Sequence, residues 1–431
     1  MQRRSAVTAA CATAVAALAV AGPGQAGPAH AATGAVQVPC RPQALAAALS
    51  GVSSGATLNL ASQCTYRLTQ GLPAVSHDLT INGRGATLER SYAGGTAPFT
   101  ILTVDSGAVV ISQLSFRNGR GAITDTGTGL LTVTGGTFRG NSAADGGAIY
   151  LDNAINGPQL TGVTFSGNSA ADSGGAVNVN AASADPSIDH CVFIGNTAGD
   201  AGGAFSEYGF LGWLTADTFR GNTAQTGGAM AISNDDGESL SDVVVSGNSA
   251  TLDGGGIYDT GDVGLFLNDS TVAGNHAGGR GGGVYNSRGS EVRSSLITGN
   301  RAADGGGYYN GRVGSVSFTA SRVSGNHATA DGGGIYNSSP SPLSDAFGSV
   351  ALSHTTIADN SAAASGGGLY NQGEADLDGS QVVRNRAPGG GGGIYDDVLD
   401  QFTGVTVKNS TVRGNQPDNC EPPGTISGCT G

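Results

Sequence analysis

The chain has 431 residues, of which 75 are Gly, 12% are charged and 6% are aromatic, with a net charge of −13. That balance argues against a nucleic-acid partner, because no basic stripe is available to displace counterions from phosphates. It also argues against the two or three ordinary globular domains that the length would suggest: Glu, Lys and Leu are scarce beside Gly, Ser, Thr, Asn and Val, which favours many short strands joined by tight turns.

At the N-terminus Arg3 and Arg4 precede an apolar run over residues 6–20, and Ala29-His30-Ala31 reads as an A-x-A cleavage site. Residues 1–31 are therefore expected to be a signal peptide, absent from the mature chain. No other apolar run reaches the ~18 residues needed to span a bilayer, so the expected product is secreted and extracellular, with no transmembrane segment. Cysteine usage agrees. Cys11 leaves with the signal, and disulfides are expected between Cys40 and Cys64 and between Cys420 and Cys429, each closing a short loop. Cys191 is left over and reads as a small buried apolar side chain, since no electropositive surrounding marks it as reactive.

The next element, "RPQALAAALS" over residues 41–50, places Leu45 and Leu49 four apart and is the one convincing helix. Residues 32–56 are assigned as an N-terminal cap, in which this helix covers an otherwise open strand edge.

From there the chain repeats itself. Asn141, Asn168, Asn196, Asn222, Asn248, Asn275, Asn300, Asn326, Asn360, Asn385 and Asn415 are mostly 25 to 28 residues apart, and each follows an apolar residue by three, from Phe138 to Val412. Most are followed by Gly-Gly, then Ala or Gly, then a second apolar residue such as Ile149, Val177 or Ile257. One unit of about 26 residues cannot bury a core, but stacked copies can share one. The fold class predicted is all-β, a single-stranded parallel β-helix over residues 57–415 with three short strands per coil, closed by a C-terminal disulfide cap over residues 416–431. Asn at each bend is expected to bond the next coil, and the glycines to supply positive φ and close backbone approach. A helical solenoid is rejected, because each Gly inside a helix costs about 1 kcal/mol relative to Ala.

The pairing of "GGAI", "GGGIY" and "GGGVY" with "FRGN", "FSGN" and "FIGN" resembles the polymorphic outer membrane protein repeat, GGA[ILV] alternating with FxxN, over roughly residues 116–415. The opening "LTINGRGATLER" and the closing "PDNCEPPGTISGC" are similar to the ends of secreted actinobacterial β-helix proteins. The resemblance implies a right-handed β-helix of the pectin-lyase type. Members that define the repeat resemble autotransporters ending in a membrane β-barrel, whereas this sequence stops at Gly431 after a cap, with no barrel strands and no cell-wall sorting signal, so surface anchoring does not carry over from the resemblance.

Alternation along the Gly-Gly strand points the residue after the apolar one outward. From Tyr258 that column reads Tyr258, Tyr285, Tyr309, Tyr336, Tyr370 and Tyr395, which predicts a ladder of Tyr above Tyr on an exposed face. Two readings stand: self-stacking that stabilises the coils, or a strip that binds sugar rings or a partner protein. Just beyond it lie Asp235, Asp236, Glu238, Asp259, Asp262, Arg288 and Arg312, which serve either as solvated turns or as a lyase-like cluster holding Ca²⁺ against a uronate. The insert "SSPSPLSDAF" falls in the same phase. A second acidic column, Asp145, Asp172, Asp200, Asp253, Asp304 and Asp331, reads as turn capping or as intercoil Ca²⁺ sites. The histidines show no metal-ligand spacing, and no metal site or other cofactor is assigned. The favoured function is a non-catalytic, adhesin-like, monomeric protein presenting a repetitive face to an extracellular glycan or surface protein. The alternatives are a carbohydrate-active enzyme, a lyase or hydrolase, acting on acidic polysaccharide, and an inert spacer.

Overall fold

A computed structural model of the protein describes residues 34–429 apart from 153–155, 181–184, 210–211, 234–236, 312, 340–347, 398–403 and 425. The expected signal peptide lies outside the described residues, as do Asp235, Asp236, Arg312 and most of the insert.

The repeats wind into a parallel β-solenoid. In one coil the strands Ile149–Asp152, Gln159–Thr161, Thr164–Ser166 and Ser169–Ala170 follow one another, and Val177–Asn180 then lands beside Ile149–Asp152 with Ile149 opposite Val177. Among the described residues repetition builds three parallel sheets: one of 13 strands that includes the Gly-Gly strands, one of 9 two-residue strands each ending in Ala, and one of 27 strands that receives two per coil. The coil thus has four strands where three were expected. The extra corner comes from one residue in the left-handed region between the two strands of the large sheet: Gly162 at φ 62°, His190 at φ 54°, Asp269 at φ 48° and His354 at φ 51° in different coils. Left-handed backbone disfavours most L-residues but bends a strand sharply, and small or polar residues occupy it here.

Both glycines of the pair are required, for different reasons. Gly254 has φ 66°, a conformation that makes the turn into the strand. A Cβ on Gly255 would lie 2.4 Å from the Gly282 carbonyl oxygen of the next coil, inside any allowed contact.

Between the sheets runs one continuous core, with Phe116, Phe138, Phe165, Phe193 and Phe219 stacked ring on ring at 4.5–5.0 Å between centroids. Each such pair contributes about 0.5–1.5 kcal/mol beyond its buried area. Later coils place Val245, Val272, Ile297 and Val323 in the same line.

The asparagines form the ladder that the repeat predicts. Asn248 Nδ2 donates to Phe219 O at 3.1 Å and to Asn275 Oδ1 at 3.0 Å, while its own Oδ1 accepts from the backbone N and the Nδ2 of Asn222. The pattern repeats from Asn141 to Asn415 and ends on Asn419 Oδ1, 3.1 Å from Asn415 Nδ2. A second ladder lies at the left-handed corner. Ser270, Ser295, Ser321, Thr355, Ser380 and Ser410 each accept, on their hydroxyl, the backbone N–H of the corresponding residue one coil earlier. Cys191 is an early rung of this ladder. Its buried Sγ accepts from Val163 N at 3.4 Å, and burial pushes the thiol up to about 12, so it is the inert thiol expected.

Both ends are closed. The strand Ala35–Val38 pairs with Ala56–Leu60, and the helix Pro42–Gly51 between them seats Leu45 and Leu49 against the core, so the first strand of the solenoid precedes the helix. At the other end Cys420–Glu421 adds a last strand to the Gly-Gly sheet beside Ile394–Asp396. Cys40–Cys64 and Cys420–Cys429 are both bonded, as expected. Replacing Cys40 and Cys64 by Ser is expected to destabilise the chain by about 2–4 kcal/mol, read as a lower urea midpoint. An unchanged midpoint would show that the helix closes this end without the bridge.

Candidate functional site

The outward column of the Gly-Gly sheet carries the tyrosines. Tyr258, Tyr285, Tyr309, Tyr336, Tyr370 and Tyr395 stack in sequence with centroids 4.8–5.3 Å apart and planes inclined by 4–22°. The register that builds this ladder is set by the backbone, since Tyr258 pairs with Tyr285, Tyr285 with Tyr309, and so on through Tyr395.

The face is less open than alternation suggests. Tyr309 and Tyr370 are only 6% and 9% exposed, and Asn178 and Ala231 in the same column are buried as well. Parallel rings at van der Waals separation close each other's faces, so an interior tyrosine presents an edge and a hydroxyl. Burial, then the neighbouring phenols, raises Tyr285, and the same causes raise Tyr336. These hydroxyls remain neutral donors at physiological pH. Tyr370 donates to Asp397 Oδ2 at 2.8 Å, and the Arg280 guanidinium lies 5.4 Å from the Tyr309 ring centre.

Of the charged residues beyond the tyrosines, Asp262 and Arg288 meet at 3.4 Å, each about half exposed. An exposed pair of this kind contributes about 0–1 kcal/mol. The second acidic column works between coils: Asp145 Oδ1 accepts from Ser173 N, Asp253 Oδ1 from Arg280 N, and Asp331 Oδ1 from Ser365 N at 2.8 Å. These bonds are the turn capping that the sequence offered as one reading. Among the described residues no three His, Cys, Asp or Glu side chains are placed to share a metal ion.

The pattern missed by the sequence reading lies one residue past each tyrosine, facing inward. There Asp259, Asn286, Asn310, Asn337, Asn371 and Asp396 form a buried column, with Asn310 Nδ2 to Asn337 Oδ1 at 2.8 Å, Asn337 Nδ2 to Asn371 Oδ1 at 2.7 Å and Asn371 Nδ2 to Asp396 Oδ1 at 2.8 Å. The recurring "YN" and "YD" dipeptides carried this signal. In earlier coils the column holds Asp125 and Glu207. Glu238 enters from the adjacent coil, with its Oε2 3.2 Å from Gly212 N. Burial, then the Glu238 carboxyl, holds Glu207 well above the usual range; burial pushes Glu238 up to about 8 and Asp259 up to about 7. This acidic group is sealed in the core, with Glu207, Glu238 and Asp259 each at most 1% exposed. Glu238 and Asp259, expected on the charged outer face, point inward instead and are no surface for a polymer.

No helix among the described residues is long and apolar enough to cross a membrane. No curated protein matches the chain. Residues 135–152, 162–180, 242–260 and 321–338 match the Chlamydia polymorphic membrane protein repeat. Each match runs from the left-handed corner through the Asn turn to the Gly-Gly strand, and the coils between them keep the same ladders and register. The chain is thus a parallel β-solenoid, four segments of which match that repeat.

Proposed function

We propose that the protein is an adhesin-like β-solenoid, secreted or displayed at the cell surface, that offers the tyrosine face to an extracellular glycan or surface protein. The observation that carries this reading is the six-ring tyrosine ladder on the outside of the Gly-Gly sheet. Its outward edges give a straight row of hydroxyls at a spacing of about 4.8 Å, set by the backbone. The repeat match and the two disulfides support an extracellular setting.

Replacing Tyr285 and Tyr309 by Phe keeps the stack and removes two hydroxyls. On a glycan array or a panel of purified surface proteins, the double variant is expected to bind about tenfold more weakly than the parent, at an unchanged melting temperature. Equal binding by both would remove the ladder from the binding surface. Release of unsaturated products from uronate polymers would instead favour a lyase.

A further inference from the structure

The solenoid departs most from its repeat near the N-terminal end, where residues 91–100 leave the coil between the strands Leu79–Arg90 and Leu102–Val104. They overhang the corner at Ser142–Ala143, leaving a cleft of two adjoining lobes of about 380 and 350 Å³. Both lobes touch Pro98, Arg120, Ala143 and Ala144. Each lies within the range of about 300–1,000 Å³ common to ligand sites. We propose that this cleft binds an acidic saccharide, with Arg120 taking a sugar carboxylate and Tyr150 packing against a sugar ring.

The overhang is tied down. Arg90 Nε donates to Asn118 O at 2.6 Å, and its guanidinium lies 4.5 Å from the Tyr92 ring centre. Thr96 Oγ1 donates to Ala93 O at 2.8 Å. Arg120 is fixed from both sides of its backbone: its N–H donates to Phe99 O at 2.9 Å, and its carbonyl accepts from Thr100 Oγ1 at 3.0 Å. The exposed guanidinium of Arg120, by contrast, has no hydrogen bond or ion pair among the described residues. A cation with a held backbone and an uncommitted planar fork is suited to a bidentate carboxylate.

Tyr150 lines one lobe and differs from the later tyrosines. Its neighbours in register are Thr124 and Asn178, so no aromatic ring covers its faces. Asp145 stands in the same lobe, with Oδ1 committed to Ser173 N and Asn178 Nδ2, which leaves Oδ2 for a sugar hydroxyl. Stacking surface, carboxylate partner and hydroxyl acceptor together describe a uronic acid better than a neutral sugar.

Local charge agrees. Residues 84–152 hold five arginines against Glu89, Asp105, Asp145, Asp152 and the buried Asp125, a near-neutral balance in a chain whose net charge is −13. Arg117 and Arg139 lie side by side in adjacent coils, both exposed. An anion approaching this acidic protein is therefore repelled least at the end that carries the cleft.

The site is separate from the six-tyrosine ladder, four coils before Tyr258 in the same column. The two proposals can thus fail independently. Calorimetric titration of the full chain with galacturonic acid trimer, its methyl ester and a neutral galactose trimer tests the inference. The acid is expected to bind, the methyl ester and the neutral trimer about tenfold or more weakly. Arg120→Gln is expected to abolish the preference for the acid, and Tyr150→Ala to weaken all three, while Tyr285→Phe with Tyr309→Phe changes nothing. Equal affinity for acid and ester, an unchanged preference in Arg120→Gln at an unchanged melting temperature, or no binding of the acid at millimolar concentration would each overturn it.

Discussion

Replacing Asn248 by Ala is expected to lower the unfolding free energy by about 3–6 kcal/mol, among the largest effects available to a single substitution in this chain. Asn248 is 1% exposed and engages both of its neighbouring coils. Its removal strips the acceptor from the backbone N–H of Asn222 and from one hydrogen of Asn222 Nδ2, and the side-chain donor from the Phe219 carbonyl. Each is sealed from water, and an orphaned buried group costs about 1–3 kcal/mol. Asn419, the last rung, is half-buried rather than sealed, and its Oδ1 accepts from the backbone N–H and the Nδ2 of Asn415. Asn419→Ala is expected to cost about 1 kcal/mol. Urea unfolding of the two variants checks the contrast. Equal costs would mean that the ladder's bonds are replaced by solvent wherever they are cut.

The second large effect is on the dependence of stability on pH. Glu238 and Asp259 are pushed up to about 8 and about 7, Glu207 is held well above the usual range by burial and then by the Glu238 carboxyl, and Asp217 reaches about 7 through burial. A carboxyl whose pKa rises on folding binds its proton more tightly in the folded state than in the unfolded one. Its stabilising effect is complete below about pH 4 and is lost as pH rises through the folded value. Facing the pair are the Gly212 N–H and the carboxyls of Asp185 and Asp259, all of which are neutral or acidic. The melting temperature is therefore expected to fall by roughly 5 °C or more between pH 5 and pH 9. Glu207→Gln with Glu238→Gln should flatten that slope and raise the value at pH 9. A parent whose melting temperature rises over this interval would show that the carboxyls are not held protonated. Asp259→Asn offers a related gain, because Asn286 Oδ1 in the next coil and Asp259 Oδ2 are both buried without a partner. An amide at 259 would carry the inner Asn ladder one coil further.

Some of this architecture was legible in the amino-acid order and some was not, for reasons that follow from what a repeat conserves. Asn at the Asn248 position and an apolar side chain at the Phe219 position recur because each coil needs one corner amide and one core side chain, so spacing alone exposed both columns. The tyrosine ladder followed from strand alternation. The corner between the two strands of the large sheet escaped notice, because Gly162, His190, Ala216 and Asp269 share a backbone conformation without sharing a residue type. The buried Asp and Asn column was overlooked for the opposite reason: its polar side chains read as solvent-facing until the intercoil bonds of Asn310 and Asn337 show where they point. The cleft at Arg120 was invisible, since it depends on a non-repeating segment folding back over a repeating one.

The manner in which the Asn ladder stops has a wider consequence. Gly119 N meets the first amide and Asn419 receives the last, so the terminal partners copy the contacts that any interior unit makes with its neighbours. Nothing in those end contacts records how many windings stand between them. Insertion or loss of whole windings at an asparagine would leave both lids with their partners, whereas a change by any other number of residues would put every following line of side chains out of phase. Lineages of such chains are therefore free to vary in reach by discrete steps, and whatever the tyrosine edge and the Arg120 cleft contact can be moved apart or together without redesigning either.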